Sequence, residues 1–168
     1  MNIKNLMAGL SVAAIALMTV PSAWSASSVV NAHIAFDTPL SVSTVSDINF
    51  GTVQAGLGTS ATYTISPTGA TSNTAGAFLF GSPLPGQVTI AGSTSQAVQI
   101  NTVLTPSAHV TLANATCKYG AAAAGSCAIS NAAAPGAATT MYVGVDATVA
   151  PGTPPGSETP TITITVTY

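Results

Sequence analysis

Apolar and polar side chains alternate at both ends of the sequence that follows residue 26. The apolar face of the first stretch consists of Val30, Ala32, Ile34 and Phe36. The apolar face of the last stretch consists of Ile162, Ile164, Val166 and Tyr168, with threonine at every intervening position. A period of two places such residues on one face of a β-strand, so both stretches are predicted to be half-buried strands.

Shorter apolar segments between these two stretches are predicted to be strands as well. They span residues 47–54, 60–66, 86–91, 96–104, 109–115 and 139–149. Clusters rich in glycine and proline separate several of them and predict turns. The alanine-rich residues 121–138 are interrupted by Gly125, Pro135 and Gly136 and are predicted to be loops. Short strands with frequent turns predict an all-β protein with an antiparallel sandwich architecture.

The first alternating stretch is too long for one ordinary strand. It runs from Val30 to Val42, which is 13 residues, whereas a strand usually has about 5–6. Pro39 has no N–H to donate to a neighbouring strand, so it marks a break or a sheet edge. We therefore expect one segment over residues 27–37 and a strand over residues 40–46. The first segment is either the first strand of a complete sandwich or a strand that pairs with a neighbouring molecule.

Charged residues are scarce, with 2 Lys or Arg and 4 Asp or Glu among 168 residues. Nucleic-acid binding requires many Lys or Arg side chains to neutralise phosphates, so nucleic acid is excluded as a partner. The carboxylates lie far apart in the sequence, and neither His33 nor His109 adjoins a nucleophile motif. We therefore predict that the protein is not an enzyme and has neither a metal site nor a cofactor.

The first residues have the pattern of a secretory signal peptide. Lys4 precedes an apolar run over residues 6–20, and small residues follow at Ala23 and Ser25. Cleavage after Ser25 is predicted, with cleavage after Ala26 as the alternative. The run of about 15 residues is short for a membrane-spanning helix, which needs about 20. Residues 1–25 are thus predicted to direct export through the inner membrane and to be removed, leaving no membrane span in the mature chain.

The sequence contains two cysteines, Cys117 and Cys127. Because exported proteins meet an oxidising environment, this pair predicts one disulfide that closes a loop over residues 118–126. A metal site would need further ligands near the pair in the sequence, and none is present there.

Several short motifs resemble those of a known family. They are Phe50-Gly51-Thr52-Val53, Thr62-Tyr63-Thr64-Ile65 followed by Pro67-Thr68-Gly69, and Met141-Tyr142-Val143-Gly144-Val145 followed by Pro155-Gly156. Together with the final alternating strand, they resemble the DUF4402 family of exported bacterial β-domains. That family is similar in layout to spore coat protein U domains, which are subunits of archaic chaperone–usher pili. The sequence departs from the family pattern over residues 157–160 and in its cysteine pair.

The resemblance implies an immunoglobulin-like sandwich that lacks one strand and is completed by a strand donated from another copy. Residues 26–37 are then the donor-strand extension, with Val30, Ala32, Ile34 and Phe36 as its inserted face, and residues 38–168 are the pilin-like domain. The expected function is that of a structural subunit of a pilus or fimbria at the cell surface or outside the cell. Such a fibre supports adhesion or biofilm formation.

The partners implied are copies of the chain itself in head-to-tail order, together with a periplasmic chaperone and an outer-membrane usher. The alternative is a monomeric secreted module that binds carbohydrate or another surface ligand on a complete sandwich. The two functions differ in whether residues 26–37 pair with a neighbouring molecule.

Overall fold

The computed structural model describes residues 27–168. The predicted signal peptide, residues 1–25, lies outside these residues. The chain divides into two units, of which the first ends at Ala35 and the second spans Phe36–Tyr168. Within the first unit, residues 27–35 form no helix or strand, and their side chains are exposed.

Every helix or strand element found over residues 27–168 is a β-strand. The strands are β1 (Ser41–Ser46), β2 (Thr52–Val53), β3 (Ala61–Ile65), β4 (Thr71–Asn73), β5 (Phe78–Phe80), β6 (Gly86–Ala91), β7 (Val98–Thr105), β8 (Val110–Tyr119), β9 (Gly125–Ser126), β10 (Ile129–Ala132), β11 (Thr139–Val149) and β12 (Thr161–Thr167). The part of the chain that the structure describes contains no helix long and apolar enough to span a membrane.

β11 is the central strand of the larger of two sheets. One of its edges pairs with β8, and the other pairs first with β6, over Thr139–Val143, and then with β3, over Val145–Val149. β1 extends this sheet beyond β6, β4 extends it beyond β3, and β9 extends it beyond β8. The smaller sheet has the order β10–β7–β12, while β2 and β5 form a separate ribbon. All of these pairings are antiparallel.

Gly144 lies where the partner of β11 changes from β6 to β3. A Cβ atom at this position would lie 2.6 Å from the backbone nitrogen of Pro67 and would also meet the carbonyl oxygen of Ile65. No side chain fits against backbone at that distance. β6 and β3 can therefore pair with consecutive parts of the same edge of β11 only because residue 144 is glycine.

The main core lies between the two sheets and consists of alternate residues of their facing strands. It includes buried aliphatic and sulfur-containing side chains: Val88, Ile90, Val98, Ile100, Met141 and Val143. A second cluster surrounds Tyr63, whose ring meets Phe78 edge-on at a centroid distance of 5.1 Å. The period-2 pattern of the sequence produces this core, since one face of each strand enters it.

The predicted all-β antiparallel sandwich is confirmed, and β6 and β11 occupy the ranges predicted for them. The prediction that residues 121–138 form only loops was wrong, because β9 and β10 lie there. β10 is a four-residue edge strand that pairs with β7, and so short a strand carries little alternation. The predicted disulfide loop over residues 118–126 is also shorter than expected, because β8 continues through Lys118 to Tyr119.

Candidate functional site

Two strands of different sheets each have one unpaired edge. Over residues 27–168, β1 pairs only with β6, and β12 pairs only with β7. The backbone N–H and C=O groups on the other edge of each strand therefore have no strand partner within the described chain. Edges of this kind can accept a further strand through main-chain hydrogen bonds.

A groove of about 800 Å³ lies between these two strands. We call it the β1–β12 groove. β1 and β12 contribute Val42, Thr44, Ser46, Thr161, Ile162 and Ile164 to its lining. The larger sheet contributes a set of aliphatic side chains: Val88, Leu112, Val143 and Val145. The groove also reaches the segment that follows β1, residues 47–51, and the segment that precedes β12, residues 157–160.

The apolar face of β12 is only partly covered. Ile162, Ile164 and Val166 are half-buried and alternate with exposed threonines. On β1, Val42 is 41% exposed. Apolar surface left in water costs about 25 cal/mol per Å² relative to burial. The β1–β12 groove therefore combines uncovered apolar surface with uncovered backbone edges.

A tyrosine bridges the two sheets beyond one end of the groove, where β12 ends and β1 begins. The hydroxyl of Tyr168 accepts a hydrogen bond of 2.7 Å from the Ser93 backbone N–H and donates one of 2.7 Å to the Thr38 carbonyl. A Cβ atom on Gly92 would lie 2.6 Å from this hydroxyl, so a side chain at position 92 would displace the tyrosine from its bridging position. The bridge joins the end of β12 to the chain just before β1, so β1 and β12 run in opposite directions along the groove.

A hydrogen-bonded cluster lies at the other end of the groove. The carboxylate of Glu158, one of the groove-lining residues, accepts a hydrogen bond from the Ser107 hydroxyl and one of 3.0 Å from the His109 backbone N–H. It also lies 2.5 Å from Nδ1 of the His109 ring. These contacts, led by the hydrogen bond from Ser107, lower the pKa of Glu158 to about 2.

The Ser107, His109 and Glu158 side chains do not have the arrangement of a nucleophile with its base. In such an arrangement the hydroxyl donates its proton to the imidazole, and the carboxylate orients the imidazole from its other nitrogen. Here the Ser107 hydroxyl donates to the carboxylate itself. The Ser107 and His109 groups therefore hold the Glu158 carboxylate in a fixed position through hydrogen bonds.

The residues predicted to form the donor strand have no strand partner in the described chain. Residues 27–37 contain no strand, and Ala32 is exposed together with its apolar neighbours on the same face. The exposed fractions are 89% for Val30, 76% for Ile34 and 93% for Phe36. Three large apolar side chains exposed within seven consecutive residues suggest an interaction site, since contiguous exposed apolar patches often mark one.

The predicted disulfide is confirmed. Cys117 of β8 and Cys127, which follows β9, are joined, and both are 1% exposed. The bridge belongs to the core cluster between the sheets. Over residues 27–168, no group of three His, Cys, Asp or Glu side chains is arranged to hold a metal ion.

Two features of the site were not predicted from the sequence. The Tyr168 bridge joins residues 75 and 130 positions apart, and the Glu158 contacts join residues 49 and 51 positions apart. Both sets of partners are common polar groups or backbone atoms. No local motif marks such pairs, because only the folded topology brings them together.

Residues 40–168 match a known family, described as Domain of unknown function (DUF4402). The match begins next to β1 and includes all twelve strands. No curated protein and no solved structure matches the chain. Since the family covers most of the sequence, the chain belongs to the DUF4402 family.

Proposed function

We propose that this protein is a structural subunit of a surface fibre, a pilus or fimbria, that polymerises by donor-strand complementation. In this assembly, residues 26–37 of one copy insert as a strand into the β1–β12 groove of the next copy. The fibre supports adhesion or biofilm formation. The observation that carries the proposal is the β1–β12 groove, which has an unpaired strand on each side and apolar side chains between them.

The groove offers what an added strand requires. The free edges of β1 and β12 provide backbone donors and acceptors for main-chain hydrogen bonds, and the alternate side chains of the added strand meet the apolar lining. Complementary apolar residues occur at every second position in the donor segment: Val30, Ala32, Ile34 and Phe36. The family match begins at residue 40, which leaves the donor segment outside the family's domain.

The energy available from side-chain burial is large enough to matter. Full burial of a valine, isoleucine or phenylalanine side chain contributes about 1.5–3 kcal/mol each, so Val30, Ile34 and Phe36 together contribute several kcal/mol. Ordering the segment costs about 1–2 kcal/mol per residue. Main-chain hydrogen bonds to two edges, and the apolar surface that the groove itself loses to water, offset that cost.

The Tyr168 bridge suggests the direction of insertion. Because the bridge ties the two strands together beyond one end of the groove, we expect the donor segment to leave the groove at the other end, near residues 47–51 and 157–160. The donor then runs antiparallel to β12 and parallel to β1. Contacts of this kind use different surfaces on the two copies, so they repeat without closing and generate a filament.

The route to the cell surface forms part of the same proposal. Residues 1–25 direct export, the Cys117–Cys127 disulfide forms in the periplasm, and an incomplete sandwich with an open groove is a substrate for a periplasmic chaperone and an outer-membrane usher. The buried disulfide supports this route, because stable disulfides are characteristic of oxidising compartments.

A pair of charge substitutions on opposite faces of the donor segment tests the proposal. Ile34→Asp places a carboxylate on the face that enters the groove, where an unpaired charge costs several kcal/mol or must be neutralised. Asn31→Asp introduces the same charge on the opposite face. We expect Ile34→Asp, like deletion of residues 27–37, to abolish fibres in electron microscopy while the protein remains folded by circular dichroism. Asn31→Asp should leave fibres intact.

The opposite results identify the alternative function. Normal fibres from the Ile34→Asp protein would contradict donor-strand insertion through this face. A parent protein that remains a monomer under all assembly conditions would favour the secreted binding module instead.

A further inference from the structure

The segment that leads into β12 is attached to the rest of the domain through one side chain. Between Thr153 and Thr161, the hydrogen bonds found in the described structure all go to the Glu158 carboxylate. Three of the residues in this interval are prolines, at positions 154, 155 and 160, and have no N–H to donate. Glu158 therefore holds residues 154–160 in place.

The groups that hold Glu158 are themselves fixed. Ser107 and His109 lie in the turn between β7 and β8, where the Ser107 N–H donates to the Val110 carbonyl at 2.9 Å. The His109 carbonyl accepts a hydrogen bond of 2.9 Å from the Ala150 N–H, at the end of β11. The carboxylate is thus fastened to a turn that is tied to two strands of the larger sheet.

Residues 157–160, held by this carboxylate, line the β1–β12 groove and continue directly into Thr161. Thr161 is the first residue of β12 and pairs with Thr105, the last residue of β7. The anchored segment is therefore both a wall of the groove and the support for the start of the free β12 edge.

We propose that Glu158 is a positioning residue for strand addition, which keeps the mouth of the β1–β12 groove in the shape that receives residues 27–37 of a second copy. This inference rests on the proposed function. Without the carboxylate, residues 154–160 have no hydrogen bond to the domain, so the wall and the start of β12 occupy many conformations. A donor segment can then bind only those copies whose groove is in the receptive conformation.

The expected effect follows from that selection. The apparent dissociation constant rises by the inverse of the fraction of molecules in the receptive conformation. If removal of the carboxylate leaves about one molecule in ten receptive, donor affinity falls about tenfold. We expect loss of the carboxylate to weaken donor binding more than it lowers the stability of the domain, because no core residue of the described structure is hydrogen-bonded to residues 154–160.

The test uses the full-length chain carrying Ile34→Asp, whose own segment cannot be donated. A labelled synthetic peptide with the sequence of residues 27–38 is titrated into this protein, and binding is followed by fluorescence anisotropy. The same titration is made with Glu158→Ala, with Glu158→Gln, and with Asp146→Ala added to the Ile34→Asp chain. Asp146 is the matched control, because its carboxylate also accepts hydrogen bonds, from the Thr64 hydroxyl and the Asn114 side-chain amide, but it does not line the groove.

We expect Glu158→Ala to weaken peptide binding about tenfold, while Asp146→Ala changes it by less than about twofold. Glu158→Gln should recover part of the affinity, because its amide oxygen can still accept from Ser107 and from the His109 N–H. Amide hydrogen exchange should speed up at His109, whose N–H donates to the Glu158 carboxylate, and at the start of β12 in Glu158→Ala, with the buried amides of β11 unchanged. A purely structural role would instead lower protection throughout the domain.

The outcomes separate the two proposals. If the chain with Glu158 intact does not bind the peptide, both the proposed function and the positioning role of Glu158 are contradicted. If that chain binds and Glu158→Ala binds equally well, only the positioning role is overturned. Tighter binding by Glu158→Ala also overturns it, since residues 157–160 would then obstruct the groove.

Discussion

Replacement of Tyr168 by phenylalanine should destabilise the domain through the loss of one oxygen atom. The hydroxyl joins the Ser93 N–H to the Thr38 carbonyl with two hydrogen bonds of 2.7 Å each. Phenylalanine keeps the ring and its packing but leaves both backbone groups without this partner. Ser93 is fully buried, so water cannot readily replace the lost bond to its N–H.

The size of the effect follows from the two bonds. A typical intramolecular hydrogen bond contributes about 0.5–1.5 kcal/mol, so the free energy of unfolding should fall by about 1–3 kcal/mol. For a small domain the urea dependence is about 1–3 kcal/mol per molar. The urea midpoint should therefore fall by roughly 1 M.

Equilibrium urea unfolding of the monomeric Ile34→Asp chain, with and without Tyr168→Phe, measures this difference. Tyr142→Phe is the control, because Tyr142 is 37% exposed, so that water can reach its hydroxyl. We expect the control to change the midpoint by less than about 0.3 M, within the usual range for surface substitutions. Equal midpoints for the two variants would refute the idea that the Tyr168 hydroxyl bridges the sheets.

Three further predictions concern the stability of the same domain. Replacing Cys117 and Cys127 together by serine should cost about 2–3 kcal/mol in urea unfolding, and the parent protein should show no reactive thiol when denatured without reductant. Gly144→Ala should abolish folding or lower the melting temperature strongly, because its Cβ meets the backbone of β3, whereas Gly156→Ala, with open space around it, should have little effect. Glu158 has a folded-state pKa of about 2 against an ordinary value of 4.5, so its ionised form stabilises the fold above pH 4.5. This contribution is lost as the pH falls through 2, and the difference in urea midpoint between the parent protein and Glu158→Gln should shrink over that range.

The alternation of side chains was sufficient to predict the class of fold and several strands. In β12 threonine alternates with aliphatic residues, and in β11 every second residue from Met141 to Val149 is apolar, so one face of each strand could be assigned to the core. Short strands such as β4 and β5 were missed, because three residues are too few to establish a period.

Strand partners could not be predicted in the same way. The alternation of apolar and polar side chains indicates which face of β12 is buried, but it does not indicate that the outer edge of β12 lacks a strand partner. The β1–β12 groove depends on that free edge, as does the proposed function. The tandem pairing of β6 and β3 along β11 depends on a single absent side chain at Gly144, and the anchoring of Glu158 depends on a turn 49 residues earlier in the chain.

The position of β11 in the chain determines when the larger sheet can form during synthesis. β3, β6 and β8 all precede β11, and the closest of them ends 20 residues before it begins. Until β11 is available, the earlier strands can form only two-stranded units: β1–β6, β2–β5, β3–β4, β7–β10 and β8–β9. Isolated two-stranded units are marginally stable in water. The growing chain therefore cannot complete the larger sheet until residue 149 has been added, close to the end of its 168 residues. In the export route proposed above, a chain without its larger sheet has little folded structure to disrupt when it enters a translocation channel.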